Sequence, residues 1–388
     1  MTDTTKEIDM TRTIVDFNIL QTVPPSNLNR DDTGSPKSAV YGGVRRARVS
    51  SQAWKRATRV AFADLLDDSE LGLRTKRVVE LLGDRIVAKA PQITIERAQE
   101  LAGLAFGAAG IKLAASGKST QENPLPGESR YLLFLSDLQI DHVAELCVAA
   151  DAADDPKVSL KSADVKNALD TRHSIDLALF GRMVADASDL NVDAACQVAH
   201  ALSVHAVDTE FDYFTAVDDH KAADDAEDAG AGMIGTVEFN SSTLYRYATI
   251  DVDLLAKNLG DRVASRRAVE AFARAFALSM PSGKQNTFAN RTVPDAVVIS
   301  IRESQPVNLV GAFEEAVVGD QRLQRAGDRL AAHAREIDEN FGTTPVATWI
   351  VRSGEATEAL DALGDRVSLT EAVEALGAAV EERLGTDA

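Results

Sequence analysis

The chain has 388 residues, of which 45% are hydrophobic and 26% are charged, a composition that can bury a core and that excludes a largely disordered protein. No apolar run reaches the roughly 18 residues that a membrane helix needs, and the first ten residues have no apolar segment typical of a secretory signal. Cys147 and Cys196 are far apart and neither belongs to a CxxC pair, which argues against a disulfide framework or a zinc cluster. We therefore expect a cytoplasmic protein.

The charge is distributed unevenly. A net charge of −19 argues against a nucleic-acid partner for the surface as a whole, because phosphate binding needs clustered Lys and Arg. Residues 30–59, however, contain eight bases and two acids, a local +6, which leaves 33 bases and 58 acids, or −25, in the rest. This distribution would confine a polyanion to one track, although composition alone leaves a solvated basic surface equally open.

The N-terminal region predicts a strand followed by an amphipathic helix. Residues 13–20 are rich in β-branched and aromatic residues and end at a polar Pro-Pro loop that runs to about Lys37. After a short run at 44–49, Ser50 and Ser51 provide an N-cap for a helix over 51–66. Its polar face carries Gln52, Lys55, Arg56 and Arg59, and its packing face carries Trp54, Ala57, Ala61 and Leu65. The helix should present cations beside an N-terminus that favours phosphate.

The remaining elements complete an α+β pattern. Ala-rich helical patterns at 71–106 and 140–205 predict an inserted helical lobe, and residues 207–236 predict a projecting loop or hairpin. Strands follow at 236–239 and 244–252, then a helix at 266–280 and a strand at 296–301. With the first strand and helix, this order is β-α-β-β-α-β and predicts a ferredoxin-like core. Further helices follow to the C-terminus, with one candidate strand at 345–352.

Catalytic motifs are weak. The segment 116–119 resembles the end of a P-loop but lacks its first glycine, and His200 and His205 do not form an HExxH signature. The segment 218–220 (Asp-Asp-His) could hold a metal, but it lies among excess carboxylates, where solvated charge is the default. The motifs therefore predict no catalytic residue and no metal or other cofactor.

Six segments carry a joint signature. They are SNLNRDD (26–32), GGVRRARVSSQAWKRATR (42–59), IDLALFGRM (175–183), VAHALSVHAVDTEFDYFTAVDD (198–219), the run from 235–239 to YRYA (245–248), and PSGKQNT (281–287). In this order and spacing they resemble the CasC backbone subunits of type I-E CRISPR Cascade complexes. The resemblance covers most of the chain to about residue 301.

The resemblance implies a non-catalytic, right-hand-shaped protein with an RRM-like palm, a helical fingers domain inserted in it and a β-hairpin thumb. We expect the first half of the palm at 11–66, the fingers at 67–205, the thumb at 206–236, and the second half of the palm with C-terminal helices at 237–388. Copies would stack head to tail along a guide crRNA beside other Cascade subunits. The filament would present the guide for pairing with target DNA in antiviral defence.

The same resemblance implies roles for particular residues. Guide-backbone contacts would fall on Arg30, Lys37, Ser50, Gln52, Lys55, Arg56, Arg59, Lys284 and Gln285. Met183 and Phe214 would flank a kinked base, with Tyr213 in support. Because the position after Gly43, often basic in the family, is Val44 here, the target-DNA contacts are assigned to the fingers lysines Lys157, Lys161 and Lys166.

Other readings of the same residues remain open. Ser50 is also a simple N-cap and Phe214 a hairpin core residue. An enzyme could use the basic helix end and PSGKQNT as a phosphate cradle, or could be an RNA endonuclease acting through Asp218, Asp219 and His220. A structural protein could instead pair its basic segment with the acidic surface of the next copy, with no nucleic acid.

Overall fold

The computed structural model describes residues 12–116, 126–216 and 233–385, which form two compact units. Unit 1 takes its described residues from Met1–Ala61, Val198–Thr249 and Phe272–Leu376. Unit 2 takes them from Phe62–Gln197, Ile250–Ala271 and Gly377–Ala388. In the described part of the chain, no helix has both the length and the apolar character needed to cross a membrane.

The elements follow one another in this order. The first are β1 (Ile14–Ser26), β2 (Ser38–Tyr41), β3 (Val44–Val49), α1 (Ser51–Ala61), β4 (Gly72–Thr75), α2 (Val78–Lys89), α3 (Ile95–Ala108), β5 (Leu113–Ala114), β6 (Glu128–Ser129) and β7 (Leu133–Ser136). Next come α4 (Asp137–Asp151), α5 (Pro156–Ser159), α6 (Ser162–Leu169), α7 (Ile175–Phe180), β8 (Cys196–Val198), β9 (Ala201–Ser203), β10 (Glu210–Ala216) and β11 (Met233–Asp251). The last are α8 (Val252–Leu259), α9 (Arg262–Leu278), α10 (Gln285–Phe288), β12 (Ala296–Arg302), α11 (Arg322–Phe341), β13 (Ala347–Arg352), β14 (Asp365–Arg366) and α12 (Leu369–Gly385).

Unit 1 is built on a large mixed sheet. Its strand order is β14-β13-β12-β1-β11-β9-β3-β2. Strand β1 pairs antiparallel with β12 from Ile14↔Arg302 to Leu20↔Ala296, β12 pairs antiparallel with β13, and β13 pairs parallel with β14. The α+β class predicted from the sequence is confirmed at this level, with β1 inside the sheet.

Both faces of this sheet are covered. On one face Phe17 of β1 packs on Phe272 and Phe276 of α9, with ring centroids 5.3 and 6.3 Å apart. On the other face Asn18 accepts a 2.7 Å hydrogen bond from the Tyr245 hydroxyl, and an apolar cluster joins the sheet to α11. Successive side chains of a strand point to opposite faces, so the covered part of β1 needs buried residues at every position. Residues 13–21 are all buried, whereas Thr22, Pro24 and Pro25 farther along the strand are exposed.

A tight hairpin joins β2 to β3. Gly42 and Gly43 have φ angles of +57° and +76°, the left-handed values that a two-residue turn of this kind requires. A Cβ on Gly42 would lie 1.6 Å from the carbonyl oxygen of Glu314, so the turn also packs directly on the backbone. The hairpin leads straight into α1, which begins two residues after β3 ends.

Unit 2 is mainly helical in the described residues. Helices α2, α3, α4 and α6 enclose an apolar cluster that includes Leu82, Leu101, Cys147 and Leu169, and β4 pairs antiparallel with β7 beside it. Ser136 caps α4, and Gln139 completes the capping box. Burial raises the pKa of Cys147 to about 12, so this thiol is a core side chain.

The structure corrects several predicted elements. The helix predicted over 51–66 ends as an α-helix at Ala61, and a 3-10 turn follows at Phe62–Asp64. As a result Leu65, predicted on the packing face, is exposed. The two strands predicted at 236–239 and 244–252 are one strand, β11. Strand β1 extends to Ser26, through the Pro-Pro segment predicted as loop, and β2 occupies 38–41, for which no element was predicted. The end of the region predicted as helical contains β8 and β9, because its apolar residues pair with strands.

A buried histidine in unit 2 is held in its neutral form. The Gln139 side-chain oxygen accepts from the Ser136 N–H, which orients its NH₂ group toward Nδ1 of His173 at 2.9 Å. That nitrogen must therefore accept, and a proton on it would face another donor. Burial and the nearby Arg182 charge lower the pKa of His173 to about 4. Asp170 lies 4.0 Å from its Nε2.

This arrangement predicts an acid-sensitive unit 2. Between pH 6.5 and 4 the unfolded chain binds a proton at residue 173 that the folded chain does not bind, so the free energy of unfolding should fall by about 3 kcal/mol as the pH decreases. Urea unfolding from pH 7 to 4 would measure it. The difference between wild type and His173→Gln should move by this amount across the window, and a difference that does not vary with pH would contradict the assignment.

Candidate nucleic-acid interface

Asn29 joins two of the segments predicted to contact RNA. Its side-chain oxygen accepts a hydrogen bond from the Ser50 N–H at 2.9 Å, immediately before α1. Its backbone oxygen accepts from the Lys37 N–H, also at 2.9 Å, and the Arg48 N–H donates to the Lys37 oxygen. The loop at 27–37, which we call the Arg30 loop, is thus fixed to β3 and to the start of α1. This brings Arg30 and Lys37 to the same part of unit 1 as the helix N-terminus.

The loop at 281–287, which we call the Gly283 loop, lies against the Arg30 loop. A Cβ on Gly283 would be 2.2 Å from the carbonyl oxygen of Leu28 and 2.6 Å from that of Asn27, so only glycine allows this approach. Lys284 follows with a left-handed φ of 51° and opens α10. Residues 28–34 and Gly283 line one open depression, which places Lys284 and Gln285 beside the Arg30 loop.

Asp31 fixes the backbone conformation of the Arg30 loop. The Asp31 carboxylate accepts from the Thr33 N–H at 2.9 Å, from the Ser35 N–H at 3.0 Å and from the Thr33 hydroxyl at 2.7 Å. These hydrogen bonds, led by that of the Thr33 hydroxyl, lower the pKa of Asp31. The loop is therefore held in a turn that leaves the Arg30 side chain exposed.

Helix α1 has a packing face and a polar face, as its spacing predicted, but of the predicted packing residues Ala57 and Ala61 are only partly buried and Leu65 is exposed. Trp54 and Thr58 are buried, while Gln52 and Arg56 are exposed and Lys55 and Arg59 are partly exposed. We call Gln52, Lys55, Arg56 and Arg59 the cationic face of α1. Ser50 is buried, and its hydroxyl accepts from the Ala53 N–H at 3.3 Å, so it serves as the helix cap.

Composition overcounts the cations that this region presents. Arg46 is fully buried and donates to the carbonyl oxygens of Ser203, Phe313 and Glu314 at 2.9, 2.9 and 3.1 Å. Its guanidinium therefore joins β3 to neighbouring backbone and is not available to a phosphate. The sequence alone did not show that Arg46 is buried whereas Arg45, the preceding residue of the strand, is exposed.

The predicted hairpin pairs as antiparallel strands, β10 with β11, from Glu210↔Phe239 to Ala216↔Met233. Strand alternation places Phe211 and Tyr213 on one face and Phe214 on the other. Phe211 and Tyr213 are 67% and 64% exposed, and Phe214 is 36% exposed. The Phe214 ring covers Gly235, where a Cβ would lie 2.5 Å from its Cζ atom. Tyr213 and Phe214, predicted to act together, thus face opposite ways.

The other predicted residues belong to unit 2. Met183 follows α7 and is 81% exposed. Lys157 lies in α5 and Lys161 immediately before α6, and both are exposed. Lys166 of α6 pairs with Asp189 at 2.6 Å. The P-loop-like residues 117–119 and the Asp218–His220 segment lie outside the described residues. Within those that are described, no three His, Cys, Asp or Glu side chains are grouped to bind a metal.

The close approach at Gly283 makes the joined loops sensitive to one methyl group. Gly283→Ala would force its loop away from the backbone at 27–28, and we expect a loss of about 1–3 kcal/mol in the free energy of unfolding. Gly107→Ala is the matched control, because its Cβ would meet nothing within 4 Å and it lies in α3, where alanine is favoured. Urea unfolding of both variants measures the effect, and equal stabilities would show that the loops do not need this contact.

Comparisons with known proteins agree with this architecture. Two chains from solved structures are similar over nearly their whole length. One, described as a CRISPR RNA-guided surveillance complex, pre-nicking, has 35% identity and a TM-score of 0.82, and the match covers 95% of this chain and 100% of that one. The other, described as a CRISPR RNA-guided surveillance complex, has 31% identity and a TM-score of 0.72, and the match covers 94% and 99%.

No curated protein sequence matches the chain significantly. A family model does match, and it extends over residues 15–375, from the first strand of unit 1 into α12. This range includes the Arg30 loop, the cationic face of α1, the hairpin and the Gly283 loop. The chain therefore belongs to the family described as CT1975-like protein.

Proposed function

We propose that this chain is a CasC-type, non-catalytic backbone subunit of a Cascade complex, which binds the guide crRNA and presents it to target DNA. The observation that carries the proposal is the junction of three segments in unit 1. Asn29 and Gly283 bring the Arg30 loop, the start of α1 and the Gly283 loop together on an otherwise acidic chain. Membership of the family and the similarity to surveillance-complex chains support it.

The palm of this proposal is the unit 1 sheet. Its central strands lie side by side in the order β12-β1-β11-β9. Along the chain their order is β1, β9, β11, β12, with α1 between β1 and β9 and α9 between β11 and β12. This order supports the proposal of a ferredoxin-like, or RRM-like, palm. An RRM commonly stacks bases on its open sheet face, but here α11 covers that face. We therefore infer that RNA runs along the loops and α1.

A backbone subunit must hold any guide, so it has to grip phosphate and ribose and leave the base edges free. The proposed contacts meet this requirement, because they provide positive charge and hydrogen bonds for phosphate and ribose. They are Arg30, Lys37, Gln52, Lys55, Arg56, Arg59, Lys284 and Gln285. Ser50 belongs to the same set, because its hydroxyl accepts from the Ala53 N–H as the cap of α1 and keeps its own O–H as a donor. The α1 N-terminus adds its own preference for phosphate.

The hairpin is the proposed thumb, within residues 206–236. Phe214, held over Gly235, would act as the wedge that flanks a kinked base. Met183 of the fingers is the other residue that we assign to this base. Tyr213 faces away from Phe214, so we assign it to support of the hairpin and not to the same base. The fingers would occupy 67–205 and the palm 11–66 and 237–388.

Copies of the chain would assemble head to tail along the guide, with other Cascade subunits ending the filament. Two different surfaces must then complement each other, since one self-complementary surface would close a dimer. Target DNA would pair with the exposed guide bases and contact Lys157 and Lys161. Lys166 contributes less in this proposal, because Asp189 already balances its charge.

The cationic face of α1 should set the salt dependence of guide binding. If Lys55, Arg56 and Arg59 each neutralise one phosphate, changing all three to alanine should reduce the slope of log affinity against log salt by about 2. Fluorescence anisotropy with labelled guide RNA from 50 to 500 mM salt measures the slope.

The matched control removes the same charge from unit 2 by changing Arg74, Lys76 and Arg130, all exposed, to alanine. This variant should keep the wild-type slope. Equal slopes for the two triple variants would contradict the proposal. The labelled guide should also remain intact with and without divalent metal, and its cleavage would favour the endonuclease.

The wedge should act on the shape of the bound guide and not on affinity. In assembled complexes, Phe214→Ala should leave guide affinity nearly unchanged and weaken the repeating pattern of nuclease protection, because phosphate contacts remain while the base is no longer held apart. Phe211→Ala is the control, since Phe211 is a similarly exposed aromatic on the opposite face of β10. A protection pattern that is the same in wild type and both variants would exclude the wedge.

A further inference from the structure

Arg246 of β11 is a buried cation directly beneath α1. Its side chain is 1% exposed, and its guanidinium carbon lies 3.7 Å from the centroid of the Trp54 ring and 4.6 Å from that of Phe276. It donates to the side-chain oxygen of Gln21 at 2.6 Å and to the backbone oxygen of Phe276. Trp54 belongs to α1 and lies on the side opposite the cationic face, so one helix separates the guanidinium from the proposed RNA track.

No carboxylate among the described residues pairs with this guanidinium. Burial lowers the pKa of Arg246 to about 9, and no acidic neighbour opposes that effect. The other buried arginines differ: Arg302 pairs with Asp16 and Asp338, Arg182 lies 3.5 Å from Asp170, and Arg46 has Glu314 nearby. Arg246 is therefore held by neutral partners, namely an amide oxygen, a backbone oxygen and two aromatic faces.

Such a site is costly if it serves stability alone. A buried ion loses its hydration, and apolar residues of similar volume often replace buried charged groups without loss of stability. An unpaired charge has one property that a paired one lacks, which is a field that extends beyond its neighbours. Inside the protein this field is screened by salt much less than that of a surface charge.

We propose that Arg246 is an electrostatic determinant of guide binding that never touches the guide, its counter-charge being the phosphate chain on the outer side of α1. The inference rests on the proposed function and adds a residue to it. An α-helix is about 10–12 Å across, so one charge at this depth changes the affinity for a phosphate chain by about fivefold. Because Arg246 releases no counterion from RNA, the salt slope should not change.

Two variants test the charge in different ways. Arg246→Met keeps an unbranched side chain against Trp54 and removes the charge. Gln21→Glu keeps the guanidinium and places a carboxylate where the amide oxygen now accepts from Arg246. It also loses the hydrogen bond that the Gln21 NH₂ group donates to the backbone oxygen of Thr292, and thermal unfolding measures that loss. Arg74→Met is the control, because it removes one exposed charge from unit 2.

The measurement is anisotropy with labelled guide RNA from 50 to 500 mM salt, with thermal unfolding of each variant. Both Arg246→Met and Gln21→Glu should bind about fivefold more weakly with the wild-type slope, and Arg74→Met should bind as the wild type does. If Gln21→Glu binds normally while Arg246→Met does not, Arg246 has only a structural role and the inference fails.

Wild-type affinity in both test variants would also overturn it. If Arg246→Met does not fold, Gln21→Glu decides alone. If Gln21→Glu does not fold, Arg246→Met supports the inference only when it binds about fivefold more weakly at the wild-type melting temperature, and weaker binding with a lowered melting temperature overturns it. The wild-type chain is measured first, since failure of that chain to bind guide RNA overturns the proposed function itself. A wild-type chain that binds with a steep slope, together with variants that bind equally well, overturns only the role of Arg246.

Discussion

The covering of both sheet faces in unit 1 is the constraint on which the candidate site depends. Phe17 packs on α9 on one side, and Asn18 bonds to Tyr245 on the side that α11 covers. A polymer cannot lie on a face that is already buried, so in the proposed function the guide follows the loops and the helix beside the sheet. Those loops are then useful only if they are held in place, which Asn29 and Gly283 accomplish through one side-chain acceptor and one missing Cβ.

Electrostatics restricts the site further. The chain carries a net charge of −19, so most of its surface repels phosphate. Near the Arg30 loop, the nearest acid is used internally, because Asp31 accepts three hydrogen bonds from its own turn. In unit 2, by contrast, several cations are paired: Arg85 with Asp137 and Asp141, Lys89 with Glu145, and Arg97 with Asp151.

Local patterns predicted many of the elements, although not all of their ends and types, and they did not predict the contacts between them. The spacing of Gln52, Lys55, Arg56 and Arg59 predicted one face of α1, because helical periodicity depends only on the chain itself. The position of Gly283 against Leu28, by contrast, joins residues 255 apart in sequence, which no local rule reaches. The burial of Arg46 is similar, since its acceptors include the backbone of Phe313. The opposite faces of Tyr213 and Phe214 could have been read from strand alternation once the strand was assigned.

The Phe214 ring over Gly235 joins the two strands of the hairpin. A side chain at position 235 would require the ring to move, because a Cβ there would lie 2.5 Å from its Cζ atom, so a larger residue at 235 favours a smaller one at 214. A family alignment should then show these two columns changing jointly, whereas Phe211, which faces the other way, should vary on its own. A glycine at position 235 is thus expected wherever position 214 holds an aromatic ring in this arrangement.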